Sequence, residues 1–326
     1  MNINVLGGGT WGTALAYLAD SNNHNVTLWL RDKSKADKLL HSRVHENLAN
    51  FKIPNTVKIT HDKASLNLDA FNILAVPTDG IINLLNTFNL QNSKLILACK
   101  GFEIQSKKFP YDILIDQCNL SKSNISILSG PNHAEDVVLD KATATVVAST
   151  NSHLSLEVQA LLSNENFRTY SSEDVYGVLI GCAIKNIIAI ASGLSKGLNL
   201  GDNAQAALVS RGITEMLKLK NIYNFKDNTL FGLSGLGDLI CTAYSKYSRN
   251  RLLGELFIKN KSLEESNNKI KMVSEGLNSS IVLNYIINKN NLDMPICKEV
   301  YRILFEQYNP EKSLKNLMLR DLKREY

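Results

Sequence analysis

The chain has 326 residues, 44% hydrophobic and 21% charged, with 36 Lys and Arg against 31 Asp and Glu, which is apolar material enough for two cores of ordinary domain size. The formal charge of +5 is a mild surplus scattered singly or in pairs, which argues against a nucleic-acid surface and suits a small anionic ligand. Cys99, Cys118, Cys182, Cys241 and Cys297 form no CxxC pair, Met1 leads straight into NINVLGGG, and no stretch reaches about 18 uninterrupted apolar residues, so a cytoplasmic protein with no disulfide framework and no membrane insertion is expected.

INVL (3 to 6) predicts a first strand, and Gly7, Gly9 and Gly12 follow it at once in a GxGxxG pattern that opens the helical segment WGTALAYLAD. The first glycine of such a turn allows the tight bend, the second lets backbone approach a pyrophosphate, and the third lets helix and strand pack closely. A second strand, VTLWL (26 to 30), completes a unit of about 30 residues, as dinucleotide binding requires. The end of that strand reads the cofactor: an acidic residue there would bind the ribose of NAD, an Arg the 2′-phosphate of NADP. Arg31 precedes Asp32, so NADP is favoured and NAD remains allowed. Trp11, between the glycines, reads as a residue packed beside the cofactor.

NILAV (72 to 76), KLILAC (94 to 99), ISILS (125 to 129), ATVVAS (144 to 149) and FRTYSS (167 to 172) continue the strands. Short apolar runs with little alternation are covered on both faces, and their alternation with helical segments predicts a doubly wound, Rossmann-like parallel sheet. Beyond about residue 173 the pattern turns helical throughout. The expected division is a dinucleotide-binding domain over 1 to 172 and an all-helical substrate-binding domain over 173 to 326.

The segment from Val175 to Leu194 is apolar nearly all round, yet carries Lys185 and Asn186. Lys185 shares a face with Val178, Cys182 and Ala189, so its ammonium needs a partner or a task, because desolvating the charge is costly and lowers the pKa. A lysine moved toward neutrality can take a proton from a hydroxyl as hydride leaves the same carbon. Read from this helix alone, a lysine that snorkels to the helix edge stands equally well. FGLSGLGDLICT (231 to 242) then sets Asp238 among glycines and apolar residues, where a carboxylate could orient Lys185 or could simply cap a helix. YSRNRLLG (247 to 254) places Ser248, Arg249 and Asn250 at a helix start: a hydroxyl, a planar cation and an amide suited to a phosphate.

GGGTWGTALA, AVP (75 to 77), CKG (99 to 101), SGPNHAEDV (129 to 137), IKNIIAIASGL (184 to 194), LGDNAQAALVSRG (200 to 212), FGLSGLGDL (231 to 239), SRN (248 to 250) and VSEG (273 to 276) together resemble the bacterial-type NAD(P)-dependent glycerol-3-phosphate dehydrogenase family, in order and over nearly the whole chain. The resemblance implies reversible reduction of dihydroxyacetone phosphate to sn-glycerol 3-phosphate for glycerophospholipid synthesis. Position by position it implies Lys185 as proton acceptor, with Asp238 beside it. Lys100, Gly130, Asn132, Asp238, Ser248, Arg249 and Asn250 would meet the substrate. Gly7, Gly9, Thr10, Trp11, Gly12, Arg31, Lys100, Ala134, Arg249, Val273 and Glu275 would meet the cofactor. Gly8, Thr10, Cys182 and Asp136 depart from the family's usual residues without removing a needed group, and the stretch 45 to 54 matches only loosely.

His133, after SGP, competes as a base, since many 2-hydroxy-acid dehydrogenases use histidine; Lys185-Asn186 ranks it second. The alternatives are an enzyme of β-hydroxy acids or a ketopantoate-like substrate, and a non-catalytic dinucleotide sensor that could dispense with Lys185, Asp238 and Arg249. The six histidines show no HExxH or Cys/His pairing, so no metal is expected. The helical half, with VYRILFEQY, leaves room for a homodimer.

Overall fold

In the computed structural model, which describes residues 1 to 270, 275 to 322, 324 and 325, the apolar runs of the first half become β1 (Asn2–Leu6), β2 (Asn25–Trp29), β3 (Lys58–Thr60), β4 (Phe71–Leu74), β5 (Lys94–Leu97), β6 (Ile125–Ser129), β7 (Thr143–Ala148) and β8 (Phe167–Ser172). They form one sheet in the order β3-β2-β1-β4-β5-β6-β7-β8. Alternate strand residues enter two apolar layers: Ile3, Val5, Ile73 and Ile96 on one face, Leu6, Leu74, Leu95 and Leu97 on the other. This burial on both faces is why the runs show so little polar alternation.

The chain reverses its winding between β1 and β4, which pair in parallel through Leu6 and Leu74. The crevice at such a switch point is where open α/β sheets bind ligands.

Two features differ from the sequence reading. β3 is a three-residue edge strand, too short to leave a periodic signal. β7 runs antiparallel to β6, and β8 follows β7 in parallel. The segment between β6 and β7 holds only the four-residue helix Ala134–Val137, a rise of about 6 Å. A five-residue strand runs about 17 Å, so that helix cannot carry the chain back for a parallel crossover, and the strand direction flips.

Beyond β8 the described residues are helical. The helix Val175–Gly197 is the axis of this half, buried from Gly177 through Ser195. By length and composition it could cross a membrane, but its apolar window lies wholly inside the protein. The helix Arg249–Asn260 packs against it at glycines: a Cβ on Gly193 would stand 1.9 Å from the Arg251 carbonyl oxygen, and one on Gly254 2.3 Å from that of Ile190. The apolar layer on the Leu6 face of the sheet continues into these helices through Ile184, Ile187 and Ile303, and the Tyr176 hydroxyl donates to Asp112 at 2.8 Å across the same junction.

Candidate active site

The glycine turn sits at the switch point. Gly7 has φ +123°, and a Cβ there would lie 2.6 Å from the Ala75 carbonyl oxygen beyond β4; a Cβ on Gly12 would lie 1.9 Å from the Gly7 oxygen. Both positions therefore demand glycine. At Gly9 a Cβ would meet nothing within 4 Å. The helix Thr10–Ser21 starts there with no side chain capping its first N–H groups, and the indole Nε1 of Trp11 is buried without a partner among the described residues. Open space, free N–H groups and an unmet donor fit the pyrophosphate of a dinucleotide.

The stretch 45 to 54 closes against this turn: Asn47 donates to the Thr10 hydroxyl at 3.3 Å. His45 is buried beside the Gly8 backbone. Burial lowers its pKa, against the opposing pull of Glu46 and that backbone.

At the end of β2 the two candidate cofactor readers have separate fates. Asp32 caps the helix Lys33–Ser42, its Oδ1 accepting from the Lys35 N–H at 3.0 Å. Arg31 is exposed, and no hydrogen bond or ion pair is seen for it among the described residues.

The candidate reacting groups meet where loops from the sheet face the helical half. Lys185, in the middle of the long helix, donates to Asp238 Oδ1 at 2.5 Å and to the Thr242 hydroxyl at 3.1 Å. Lys100, beyond β5, reaches the other carboxylate oxygen of Asp238 at 3.3 Å, the Asn132 Oδ1 at 3.0 Å and the Gly130 carbonyl at 3.4 Å. One carboxylate thus bridges two lysines, and Ser129 adds a donor to it at 3.4 Å.

Local backbone explains the placement. Asp238 follows the π-helical turn Leu233–Gly237, and π-turns recur at functional sites. Gly181 lets that turn press on the long helix, since a Cβ there would stand 2.4 Å from the Ser234 oxygen. Gly130 lies against β7, where a Cβ would come 2.8 Å from Thr145 Cα. Asn132 is oriented by donating to the Thr145 hydroxyl at 3.0 Å, and that hydroxyl in turn donates to the Ser129 carbonyl at 3.1 Å.

Burial pushes the Lys185 ammonium down to about 8, although Asp238 pulls the other way, and the nearby Lys100 lowers it further. Lys100 is desolvated too, but Asp238 outweighs this and holds it above the ordinary lysine value. Burial would raise Asp238; the two lysines overcome it and keep the carboxyl below its usual range. The cluster sets one carboxylate between two lysines, and burial disfavours the ammonium at Lys185 while Asp238 favours it at Lys100.

Around it, Asn250 donates to Asn186 Oδ1 at 3.0 Å and accepts from the Gly276 N–H at 3.2 Å, tying the SRN segment to the long helix and to the helix Glu275–Asn290. Ser248 caps the helix Arg249–Asn260, accepting from the Arg251 N–H at 3.2 Å. Arg249 is exposed and within electrostatic reach of Glu275 and of Glu135 on the sheet side. Burial raises Glu275 to about 7, with Arg249, Lys100 and Lys185 opposing. Ala134 is buried at the start of Ala134–Val137. Val273 lies outside the described residues.

The structure therefore gathers Lys100, Gly130, Asn132, Lys185 and Asp238 into one contact network, places Ser248, Arg249, Asn250 and Glu275 on neighbouring elements, and sets Gly7, Gly9, Thr10, Trp11, Gly12 and Arg31 at the switch point. Sequence reasoning missed Ser129 and Thr145. Ser129 lies in a quoted motif, but nothing in it shows which way the hydroxyl points. Among the described residues, no three His, Cys, Asp or Glu gather as a metal site.

A glycine-turn α/β sheet facing a buried lysine and a half-buried one on a shared carboxylate defines an oxidoreductase that uses a nicotinamide dinucleotide. Residues 2 to 155 match the N-terminal family model of NAD-dependent glycerol-3-phosphate dehydrogenase and residues 174 to 315 the C-terminal one. The chain belongs to that family. It is 38% identical to the glycerol-3-phosphate dehydrogenase [NAD(P)+] of Fusobacterium nucleatum over 330 residues, covering 100% of this chain and 98% of the relative. With that of a Thermoanaerobacter strain it shares 39% over 329 residues, covering 100% and 99%. The crystal structure of the Coxiella burnetii glycerol-3-phosphate dehydrogenase superposes with a TM-score of 0.91 at 31% identity, covering 98% of this chain and 99% of that one.

Proposed function

We propose that the protein interconverts dihydroxyacetone phosphate and sn-glycerol 3-phosphate, with Lys185 carrying the proton and NADPH preferred over NADH. The observation that carries this reading is Lys185, buried on Asp238 and shifted to about 8, in a chain of this family. The glycine turn would hold the dinucleotide, whose reduced nicotinamide would supply the hydride. In ketone reduction the Lys185 ammonium delivers its proton to the C2 oxygen as C2 accepts hydride, and Asp238 and Thr242 fix the direction of that N–H. Oxidation runs the same transfer backwards, with neutral Lys185 as base.

Arg249, Asn250 and Lys100 hold the phosphate or polar head of the substrate. Such positioning would contribute through effective molarity, because it fixes the substrate before reaction. Thr10, Trp11, Ala134, Arg249, Val273 and Glu275 meet the cofactor, with Arg31 on the 2′-phosphate. The preference for NADPH rests on a guanidinium left free beside an Asp32 already engaged as a cap. In the same reading the chain divides near residue 172 into a cofactor half and a substrate half. The product feeds glycerophospholipid synthesis in the cytoplasm, and the helical half leaves room for a homodimer, without nucleic acid or membrane insertion.

The test is NADPH and NADH oxidation, followed by nicotinamide absorbance, with and without dihydroxyacetone phosphate. Oxidation should need the ketone, and Lys185→Ala should abolish it while cofactor still binds. Turnover that survives in Lys185→Ala would remove the lysine from the chemistry. For the second assignment, Arg31→Ala should raise the KM for NADPH about tenfold, the scale of a lost charged hydrogen bond, and leave that for NADH nearly unchanged. An equal change for both cofactors would sink the Arg31 assignment.

A further inference from the structure

His133 stands at the end of the loop after β6, where it precedes the helix Ala134–Val137. Its ring packs against Tyr247 with centroids 6.0 Å apart. The ring shares a hydrogen bond with the Cys241 backbone, which raises its pKa, and Lys185, Lys100 and Asp238 are all within electrostatic reach. The loop itself closes over the turn that carries Asp238: Asn132 binds Lys100, and Pro131 lies 3.8 Å from where a Gly237 Cβ would stand. In this setting Nε2 of His133 is buried and has no hydrogen-bond partner among the described residues. A buried ring nitrogen left unmet is costly until something binds it.

The substrate offers one group to match. On the reading above its phosphate goes to Arg249, Asn250 and Lys100 and its C2 oxygen to Lys185; Gly130, Asn132 and Asp238 already bind the two lysines and Ser248 caps a helix, which leaves the C1 hydroxyl to be matched. Burial first, then Lys185 and Lys100, hold the imidazole below its ordinary pKa, which favours the neutral ring and makes it a weaker base. A hydroxyl can donate or accept, so it satisfies Nε2 in either tautomer.

We propose that His133 is a specificity-determining residue whose Nε2 hydrogen-bonds the C1 hydroxyl of the three-carbon substrate. The proposal rests on the reading that Lys185 and Lys100 meet that same substrate. A site built around a substrate hydroxyl rejects the analogue that lacks it, because its own polar atom is then left unpaired.

The experiment compares kcat/KM for dihydroxyacetone phosphate and for hydroxyacetone phosphate, which carries a methyl in place of the hydroxymethyl group. It does so in the wild type, His133→Phe and His133→Gln. The wild type should favour the hydroxylated ketone by about tenfold or more. His133→Phe keeps a ring against Tyr247 and should erase most of that preference, and His133→Gln should restore part of it. A wild type indifferent to the hydroxyl overturns the proposal without any variant. So does a His133→Phe enzyme that loses equally on both ketones, as a purely structural role would produce. Lys185→Ala is run beside them: turnover surviving there defeats the reading of the whole site, whereas its loss together with an unchanged preference in His133→Phe defeats only the assignment of His133.

Discussion

In the proposed reaction Lys185 carries the proton, and burial and charge act on it in opposite senses. Burial lowers its pKa to about 8 while Asp238 keeps the ammonium from being lost altogether. Ketone reduction consumes the protonated form, so its rate should fall as pH rises through about 8; alcohol oxidation needs the neutral form and should rise through the same range. Initial rates in both directions, measured at saturating substrate across that range, check the crossing. Profiles that rise together would point to another proton carrier. Lys185 and Asp238 could be singled out in the sequence because a charge inside an apolar segment has to be explained by a partner. Asp32 shows the limit of that logic. Beside Arg31 it reads equally as a ribose acceptor, and only the Lys35 N–H on its carboxylate reveals a cap.

The helices owe their placement to backbone contacts as much as to apolar faces. Glu215, on the helix Asp202–Leu217, accepts the N–H groups of Ile296 at 2.6 Å and Cys297 at 3.0 Å, and so caps the helix Pro295–Phe305 from across the core. Glu215→Ala should cost about 3 kcal/mol, since two buried N–H groups lose their acceptor, and Glu215→Gln should cost less. Burial, against those same N–H groups, raises the Glu215 pKa from 4.5 to about 7. The folded state therefore binds the proton more tightly than the unfolded chain. The stabilisation is complete below 4.5 and is lost as pH rises through 7. Urea titrations should show the wild type weakening over that window relative to Glu215→Gln; parallel pH dependences would refute it. Nothing in the sequence announces this cap, because its donor helix and its acceptor lie far apart in the chain. Strand direction is hidden in the same way: an apolar run has no polarity, so β7 could not be told from a parallel strand. The π-turn before Asp238 was legible only as a cluster of glycines. By contrast, the glycine turn and the long helix were legible almost residue by residue, since both depend on local spacing.

At the scale of the whole molecule, the sheet and the helices are joined rather than strung together. Only residues 173 and 174 separate β8 from the helix Val175–Gly197, and one continuous apolar cluster runs from Leu6 and Leu74 through Ile184 to Ile303. The polar junction repeats the pattern, because Lys100 comes from the sheet side and Asp238 from the helical side of a 3.3 Å ion pair, with Tyr176 and Asp112 bonded nearby. Chains of this length often unfold in separate steps, but a shared core leaves neither half with a complete apolar surface of its own. Calorimetry should therefore give one transition whose van't Hoff and calorimetric enthalpies agree. A nicotinamide dinucleotide that binds the folded state should move that single midpoint upward in proportion to the logarithm of its concentration. Two resolved transitions, with cofactor shifting just one of them, would mean that the sheet half folds by itself and that the contacts across the site follow folding instead of driving it.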